Sequence, residues 1–309
     1  MLFCLSYNWN TWLVKGNLLV ACILTLLIMA SGTNARPNPH MHRIDARNHL
    51  RSIRSSRNTS NGIWQPKVGA KWQIQLVNPV QDISMGADIF DIDLFDNTAA
   101  TISKIHKTGA KAICYFSAGS YEDWRPDASK FLESDMGDEL DGWPGERWLN
   151  VKSANVRTIM KSRLDLAVKK GCDGVDPDNI DAYGNDSGLD LTKANSIDYV
   201  NFLASEAHSR GLSIGLKNGG EIIPDVIGKM QWSVNEQCAQ YDECDVYAAF
   251  TEANKPVFHI EYSGEIDSKR RLMARVTNSE KSTACNAPNS ENFSTVIKNM
   301  DLDAWVEYC

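Results

Sequence analysis

From Trp64 onward the chain repeats one unit: an amphipathic stretch closes on glycine, a short apolar run follows, and the run ends in polar or charged residues. Residues 97–108, with a cap near Asp96 or Asn97, close at Gly109, and AKAICYF then leads to Ser117. Residues 154–170 carry Val156, Ile159, Met160, Leu164, Ala167 and Val168 on one face and close at Gly171, before CDGV leads to Asp176 and Asp178. Residues 193–210 close at Gly211, and LSIGL leads to Lys217. Glycine adopts the left-handed conformation that ends a helix, and a buried strand directly after it makes an αβ unit whose repetition requires a parallel sheet. Eight strands are predicted, at about 72–77, 88–93, 111–117, 172–177, 212–217, 230–235, 256–261 and 301–306. Eight such units in roughly 245 residues predict the α/β class and a single (β/α)8 TIM-type barrel. The open doubly wound sheet is the competing arrangement, but no Gly-x-Gly-x-x-Gly follows the first strand.

The chain ahead of the barrel has a different character. Leu18 to Ala30 is an apolar run of 13 residues preceded by Lys15, too short for the roughly 20 residues of a membrane-spanning helix. Its layout predicts a secretory signal over 1–35, cleaved after Ala35 or after Gly32; the long leading segment with Trp9 and Trp12 leaves an uncleaved anchor as the alternative. Residues 36–61 lack a hydrophobic period and are rich in Arg, Ser and Asn, which predicts a disordered basic linker or pro-segment before a (β/α)8 domain over 62–309. Removal of Cys4 and Cys22 with the signal leaves six cysteines, an even number that favours disulfides in an exported chain. Cys238 with Cys244 forms a short clamp and Cys285 with Cys309 ties down the C-terminus, while Cys114 and Cys172 are either buried thiols or a third pair. Sequons at Asn58, Asn185 and Asn292 agree with export.

In a (β/α)8 barrel the active site lies at the C-terminal ends of the strands. Those ends carry Asp93, Tyr115, Ser117, Asp176, Asp178, Lys217, Asn218, Glu236, Glu261 and Glu307. Any one acid there can simply be where a strand meets water; a near-complete ring of them is harder to explain that way. The formal net charge is −7, and because residues 1–57 hold seven basic groups and one acidic group, residues 58–309 hold −13. A nucleic-acid partner is excluded on that charge. Serine-hydrolase chemistry lacks its Gly-x-Ser-x-Gly elbow and zinc-protease chemistry its His-Glu-x-x-His. The acidic run DPDNIDAYGND resembles a calcium loop, but Ile180 and Ser187 stand where oxygen ligands and a glutamate are required, so no metal or other cofactor is expected. His259, inside the seventh strand, reads as a satisfied core histidine. Paired carboxylates remain, and they are what glycosidic cleavage uses. Tyr121, Trp124, Trp143 and Trp148, between residues 118 and 150, supply aromatic faces for sugar stacking or for packing that segment onto the barrel.

Seven blocks in order, KWQIQLVNPV (71–80), ADIFDIDLFD (87–96), CYFSAGSYEDWRPD (114–127), GCDGVDPDNIDAY (171–183), GLKNGGE (215–221), WSVNEQC (232–238) and FHIEY (258–262), resemble the endo-α-1,4-polygalactosaminidase family of glycoside hydrolases. The resemblance spans about residues 64–306 and implies a secreted TIM-type barrel that cleaves internal α-1,4-linked galactosamine bonds. Carried onto this sequence, it implies Asp178 as nucleophile and Glu236 as general acid/base, with the reverse order as the alternative. Lys217 at the end of the fifth strand is expected to keep Asp178 ionised, and Glu236, farther round the ring, to hold its proton near neutral pH. Substrate contacts are expected from Asp93, Tyr115, Ser117, Asp176, Asn179, Asp181, Lys217, Asn218, Glu261 and Trp124, with Asp93, Asp181 and Glu261 placed to meet an ammonium group. A polycationic polysaccharide is the expected partner, the membrane only through an uncleaved signal, and the chain is expected to be a monomer. Competing functions are a non-catalytic carbohydrate-binding barrel and a hydrolase of another α-galactoside or amino sugar. The stretch 263–300 lies outside the resemblance.

Overall fold

A computed structural model describes residues 62–263 and 276–309; the expected signal and linker lie outside the described residues. The strands in chain order are β1 Trp72–Gln75, β2 Ile89–Asp93, β3 Lys111–Ser117, β4 Ser120–Glu122, β5 Met136–Glu139, β6 Glu146–Leu149, β7 Gly174–Asp178, β8 Ser213–Lys217, β9 Trp232–Glu236, β10 Val257–Tyr262, β11 Ser294–Lys298 and β12 Glu307–Tyr308. The helices are α1 Ala99–Lys107, α2 Ala154–Lys170, α3 Lys193–Ser209, α4 Ile223–Val226, α5 Cys238–Tyr241, α6 Cys244–Glu252 and α7 Asn278–Cys285. The main sheet runs β1-β2-β3-β7-β8-β9-β10-β11-β12, parallel except where β12 turns back along β11. Side chains link its first strand to its eighth: Trp72 Nε1 donates to the Ser294 carbonyl at 2.7 Å and Lys298 Nζ to Gln73 Oε1 at 3.2 Å. Eight parallel strands curled in this way make the expected TIM-type barrel.

Strand parity decides what faces the interior. Ile89, Ile113, Trp232, Val234, Phe258, Ile260 and Val296 pack together in one cluster, whereas Phe90, Ile92, Cys114 and Val175 pack with the helices in another. The inward columns therefore change along each strand from apolar to charged: Ile89, Asp91, Asp93 on β2 and Trp232, Val234, Glu236 on β9. Trp232 plugs the apolar end. A methyl group on Gly215 would lie 2.0 Å from its indole nitrogen and one on Gly174 2.5 Å from its ring, so these strands carry glycine where the indole passes. The β7–β8 ladder ends at Val175–Ile214, before Asp176. The strands are unladdered from there to Asp178 and Lys217, at the end that carries the charged residues.

α1, α2 and α3 fall where the amphipathic period places them, with Gly109, Gly171 and Gly211 all at positive φ. The first cap is Thr98, one residue beyond the expected Asp96 or Asn97. The eighth strand is a correction. It is Ser294–Lys298, not 301–306, and Glu307 sits on the returning β12, bonded to Lys281 at 2.5 Å. STVIK reads as surface because of Ser, Thr and Lys, yet Lys298 is fully buried and donates to the Asp303 carbonyl at 2.7 Å. The segment between β3 and α2 is not a bare loop either: it holds the antiparallel sheet β4-β6-β5. Arg163 on α2 anchors its base, meeting Asp127 at 2.9 Å and the Ser117 carbonyl at 2.6 Å. Three disulfides are formed, Cys238–Cys244 and Cys285–Cys309 as expected and Cys114–Cys172 as the third.

Ser153 caps α2, accepting from the amides of Asn155 at 3.1 Å and Val156 at 3.4 Å. Ser153→Ala is expected to cost about 1 kcal/mol and to lower the melting temperature by roughly 2–4 °C with turnover unchanged, checked by thermal melts and activity assay side by side.

Candidate active site

Three side chains meet where β7, β8 and β9 end. Lys217 Nζ lies 2.8 Å from Asp178 Oδ2 and 2.8 Å from Glu236 Oε2. Two legs of that length meeting at one nitrogen keep the two carboxylate oxygens within twice 2.8 Å, or 5.6 Å, of each other. The lysine ammonium is almost wholly buried, while 14% of the Asp178 side chain and 21% of the Glu236 side chain face solvent. Both carboxylates thus reach solvent at the strand ends, and the cation between them is buried.

Each carboxylate has its own donors. Asp178 accepts from Tyr115 Oη at 3.0 Å through Oδ2 and from the Asn179 amide at 2.7 Å through Oδ1. Asn179 is left-handed at φ 59, which points its amide back at the preceding side chain. Asn218 Nδ2 donates to Glu236 Oε2 at 2.9 Å, and the Tyr262 hydroxyl donates to Oε1. Burial raises the Glu236 pKa, but the Lys217 charge and the bonds from Lys217, Tyr262 and Asn218 outweigh it, leaving it below the ordinary glutamate value. The asymmetry expected from strand order is therefore absent. Lys217 sits between the two acids, not beside Asp178 alone, and its charge favours the ionised form of Glu236 against the expected retention of a proton. Burial works against the Lys217 ammonium too, yet Asp178, Glu236 and Asp176 raise its pKa well above that of a free lysine.

The other expected site residues divide by what already holds them. Tyr115 and Asn179 bond Asp178, Asn218 bonds Glu236, and all three are half-buried, as is Asp181. Burial, with the charge of Asp178 next, raises the Asp181 pKa. Trp124 is 53% exposed on the insertion, above Arg125. Asp93 is not free for an ammonium group, because Arg125 Nη2 holds it at 2.7 Å and both are buried. Glu261 is likewise occupied, accepting from the Ala239 amide and lying 2.8 Å from His259 Nε2, which leaves His259 a satisfied core residue. Ser117 is buried within the insertion's hydrogen bonds. Asp176 is sealed beneath the site with Asp91. Burial, then Asp176, raises Asp91 well above a normal aspartate, and burial, with Asp178 and Glu236 added, raises Asp176 to about 7 despite Lys217.

Cys238, Cys244 and His259 place ligand atoms within 4.8 Å of one another, but the disulfide leaves no thiolate for a metal. Tyr262 is the clearest residue that strand-end reasoning passes over. It follows Glu261 directly, and β10 runs one residue past the expected end. Asp91 has no signal of its own, being one more alternating position within an apolar strand.

The sequence profile of glycoside-hydrolase family GH114 matches residues 54–309. Among solved structures, that of Aspergillus fumigatus Ega3 in complex with galactosamine is 62% identical, with a TM-score of 0.77 over 80% of this chain and 97% of that one. The glycoside hydrolase domain of PelA from Pseudomonas aeruginosa is 15% identical, with a TM-score of 0.58 over 77% of this chain and 98% of that one, a likeness of fold. No curated protein sequence matches the chain. With its profile covering the whole barrel and two carboxylates at the barrel mouth, the chain belongs to glycoside-hydrolase family GH114.

Proposed function

We propose that the protein is an endo-acting hydrolase of α-1,4-linked galactosamine polymers, working with retention through Asp178 as nucleophile and Glu236 as general acid/base. The observation that carries the mechanism is the lysine shared by both carboxylates. One ammonium holding an oxygen of each carboxylate at 2.8 Å draws the two groups together, which supports the closer spacing of a retaining pair. In the first step an Asp178 oxygen bonds to the anomeric carbon, the glycosidic C–O bond breaks, and the leaving oxygen takes the Glu236 proton. Asp178 becomes a neutral ester as Glu236 becomes an anion, so Lys217 keeps one counter-ion throughout. The negative charge moves from one side of the ammonium to the other, and the cation need not move. In the second step Glu236 takes a proton from water, whose oxygen displaces Asp178 from the anomeric carbon. The more exposed carboxyl suits the role that exchanges protons with water.

The 62% identity to a protein solved with galactosamine supports the substrate class, and the charge of −13 over residues 58–309 suits a polymer bearing ammonium groups. Three disulfides and the signal-like leader support secretion, with the chain acting as a monomer. Release of reducing ends from de-acetylated α-1,4-galactosamine polymer tests the assignment; a non-catalytic binding barrel releases none, and a hydrolase of other α-galactosides prefers those oligomers. Salt supplies a separate check. Raising ionic strength is expected to lower kcat/KM on de-acetylated polymer several-fold and to leave any turnover of N-acetylated polymer unchanged, because screening weakens only the attraction between opposite charges.

A further inference from the structure

Glu146 opens β6 in the insertion and has no part in the mechanism above. It is more than nine-tenths buried, yet no ion pair holds it among the described residues. Directly across the antiparallel ladder stands Glu122, a like charge in a position that normally destabilises a sheet. The Arg125 guanidinium acts on Glu146 only through its charge and is committed to Asp93 and Glu122 at 2.7 Å each. What holds Glu146 is a hydroxyl. Ser120 Oγ donates to Oε2 at 2.6 Å, and Ser120 Oγ in turn lies 2.5 Å from Ser117 Oγ and 3.2 Å from Asn179 Nδ2. Asn179 also donates to Ser117 Oγ at 3.0 Å. With Glu146 ionised, the Ser117 proton goes to Ser120 and the Ser120 proton to Glu146, and both hydroxyl oxygens have their lone pairs filled. One carboxylate oxygen is thereby fixed in direction within two hydrogen bonds of the residue that follows Asp178.

From this geometry we infer that the second oxygen of Glu146 receives the ammonium group of an amino sugar lying against Asp178. This rests on the galactosamine reading above and names the group that selects the amine. Of the three acids first expected to do so, Asp93 and Glu261 already have partners and Asp181 stands half-buried near Asp178; Glu146 has a hydroxyl on one oxygen and no ion pair among the described residues. Its carboxyl behaves as one awaiting a counter-ion: burial, with Glu122 and Asp178 adding repulsion against Ser120 and Arg125, raises it to about 7. The acid also lies within electrostatic reach of Tyr115, the phenol bonded to Asp178, and Ser120 joins it to Asn179, the residue after that aspartate. An ammonium placed there gains a charge-assisted hydrogen bond and relieves the Glu122–Glu146 repulsion.

Glu146→Gln keeps an oxygen to accept from Ser120 and removes the charge. With galactosamine and galactose as competing inhibitors, the wild-type enzyme is expected to prefer galactosamine and the variant to lose that preference by about 10- to 100-fold. Turnover of de-acetylated polymer should fall by a similar factor through KM, with turnover of N-acetylated polymer unchanged or improved. A purely structural glutamate would weaken both sugars alike, and an unaltered galactosamine-to-galactose ratio overturns the inference. If the glutamine variant does not fold, Ser120→Ala carries the test: it leaves the carboxylate but frees its direction, and the ratio should narrow by a smaller factor, an unchanged ratio again overturning the proposal. A wild-type enzyme that fails to cleave galactosamine polymer overturns the functional reading itself, whereas wild-type cleavage with an unchanged inhibitor ratio in the variants overturns only the role of Glu146.

Discussion

Asp178→Ala is expected to lower kcat by at least about 10⁴-fold while the protein still folds and binds polymer, since the lost group forms a bond to the substrate in the transition state. Sodium azide should then restore turnover and yield a glycosyl azide of inverted anomeric configuration, because the small anion enters from the face the carboxylate occupied. Glu236→Ala is expected to lose activity less uniformly. Substrates with good leaving groups, which need no proton, should retain most of their first step, and azide should give a product of retained configuration by replacing water in the second. An inverted azide product from Glu236→Ala, with none from Asp178→Ala, reverses the two roles while leaving the two-carboxylate mechanism in place. Loss of neither activity excludes the site. The folding of both variants is favourable on electrostatic grounds, because each removes one of two anions around a single buried cation.

Lys217→Met is expected to lower kcat/KM by about 10²–10³-fold, the range for losing one preorganised electrostatic contact. Its more specific effect is on pH dependence. The fall of kcat/KM with rising pH reports loss of the proton from the general acid in the free enzyme. In the wild-type protein Glu236 lies below the ordinary glutamate range, since Lys217, Tyr262 and Asn218 outweigh its burial. The enzyme should therefore be most active in acid, with its alkaline limb on the acid side of the ordinary glutamate range. Removing the ammonium leaves burial with less opposition, so the Glu236 pKa rises and the alkaline limb moves toward neutrality. Rate profiles of both proteins on one soluble substrate decide this. An unmoved limb with reduced activity would mean that Lys217 positions substrate and does not set the protonation of Glu236.

The buried ions also explain why the ring of strand-end acids is not a ring of catalysts. At the sequence level Asp93, Asp176, Asp178, Glu236 and Glu261 are equivalent: each ends a short apolar run and each lies on the mouth of the barrel. In the folded chain Arg125 neutralises Asp93, His259 and the Ala239 amide occupy Glu261, and Asp176 is buried against Asp91. Only Asp178 and Glu236 both touch Lys217 and remain partly open to solvent. Arg125 lies in a segment that reads as a loop, and no periodicity connects it to a strand that ends 32 residues earlier. Glu146 was hidden for the same reason, within a hairpin rich in Gly and Asp.

What the amino-acid order determined alone is the architecture and the set of acids that end its strands. Helix period, terminal glycine and apolar strand are local signals, and alternation along a strand follows from its pleat, so barrel and parity could be read directly, while Asp178 and Glu236 were set apart from the other strand-end acids by the family resemblance. The eighth strand escaped because its lysine is buried by neutral acceptors supplied from β1 and the chain beyond it. Tertiary structure alone decided how charge is shared: one ammonium equidistant from two carboxylates, a buried aspartate pair whose pKa values are raised, and Glu146 held by Ser120 with no ion pair among the described residues. Those outcomes depend on Coulomb interactions and desolvation among groups far apart in the chain, which vary with distance and burial and leave no period in the order of residues.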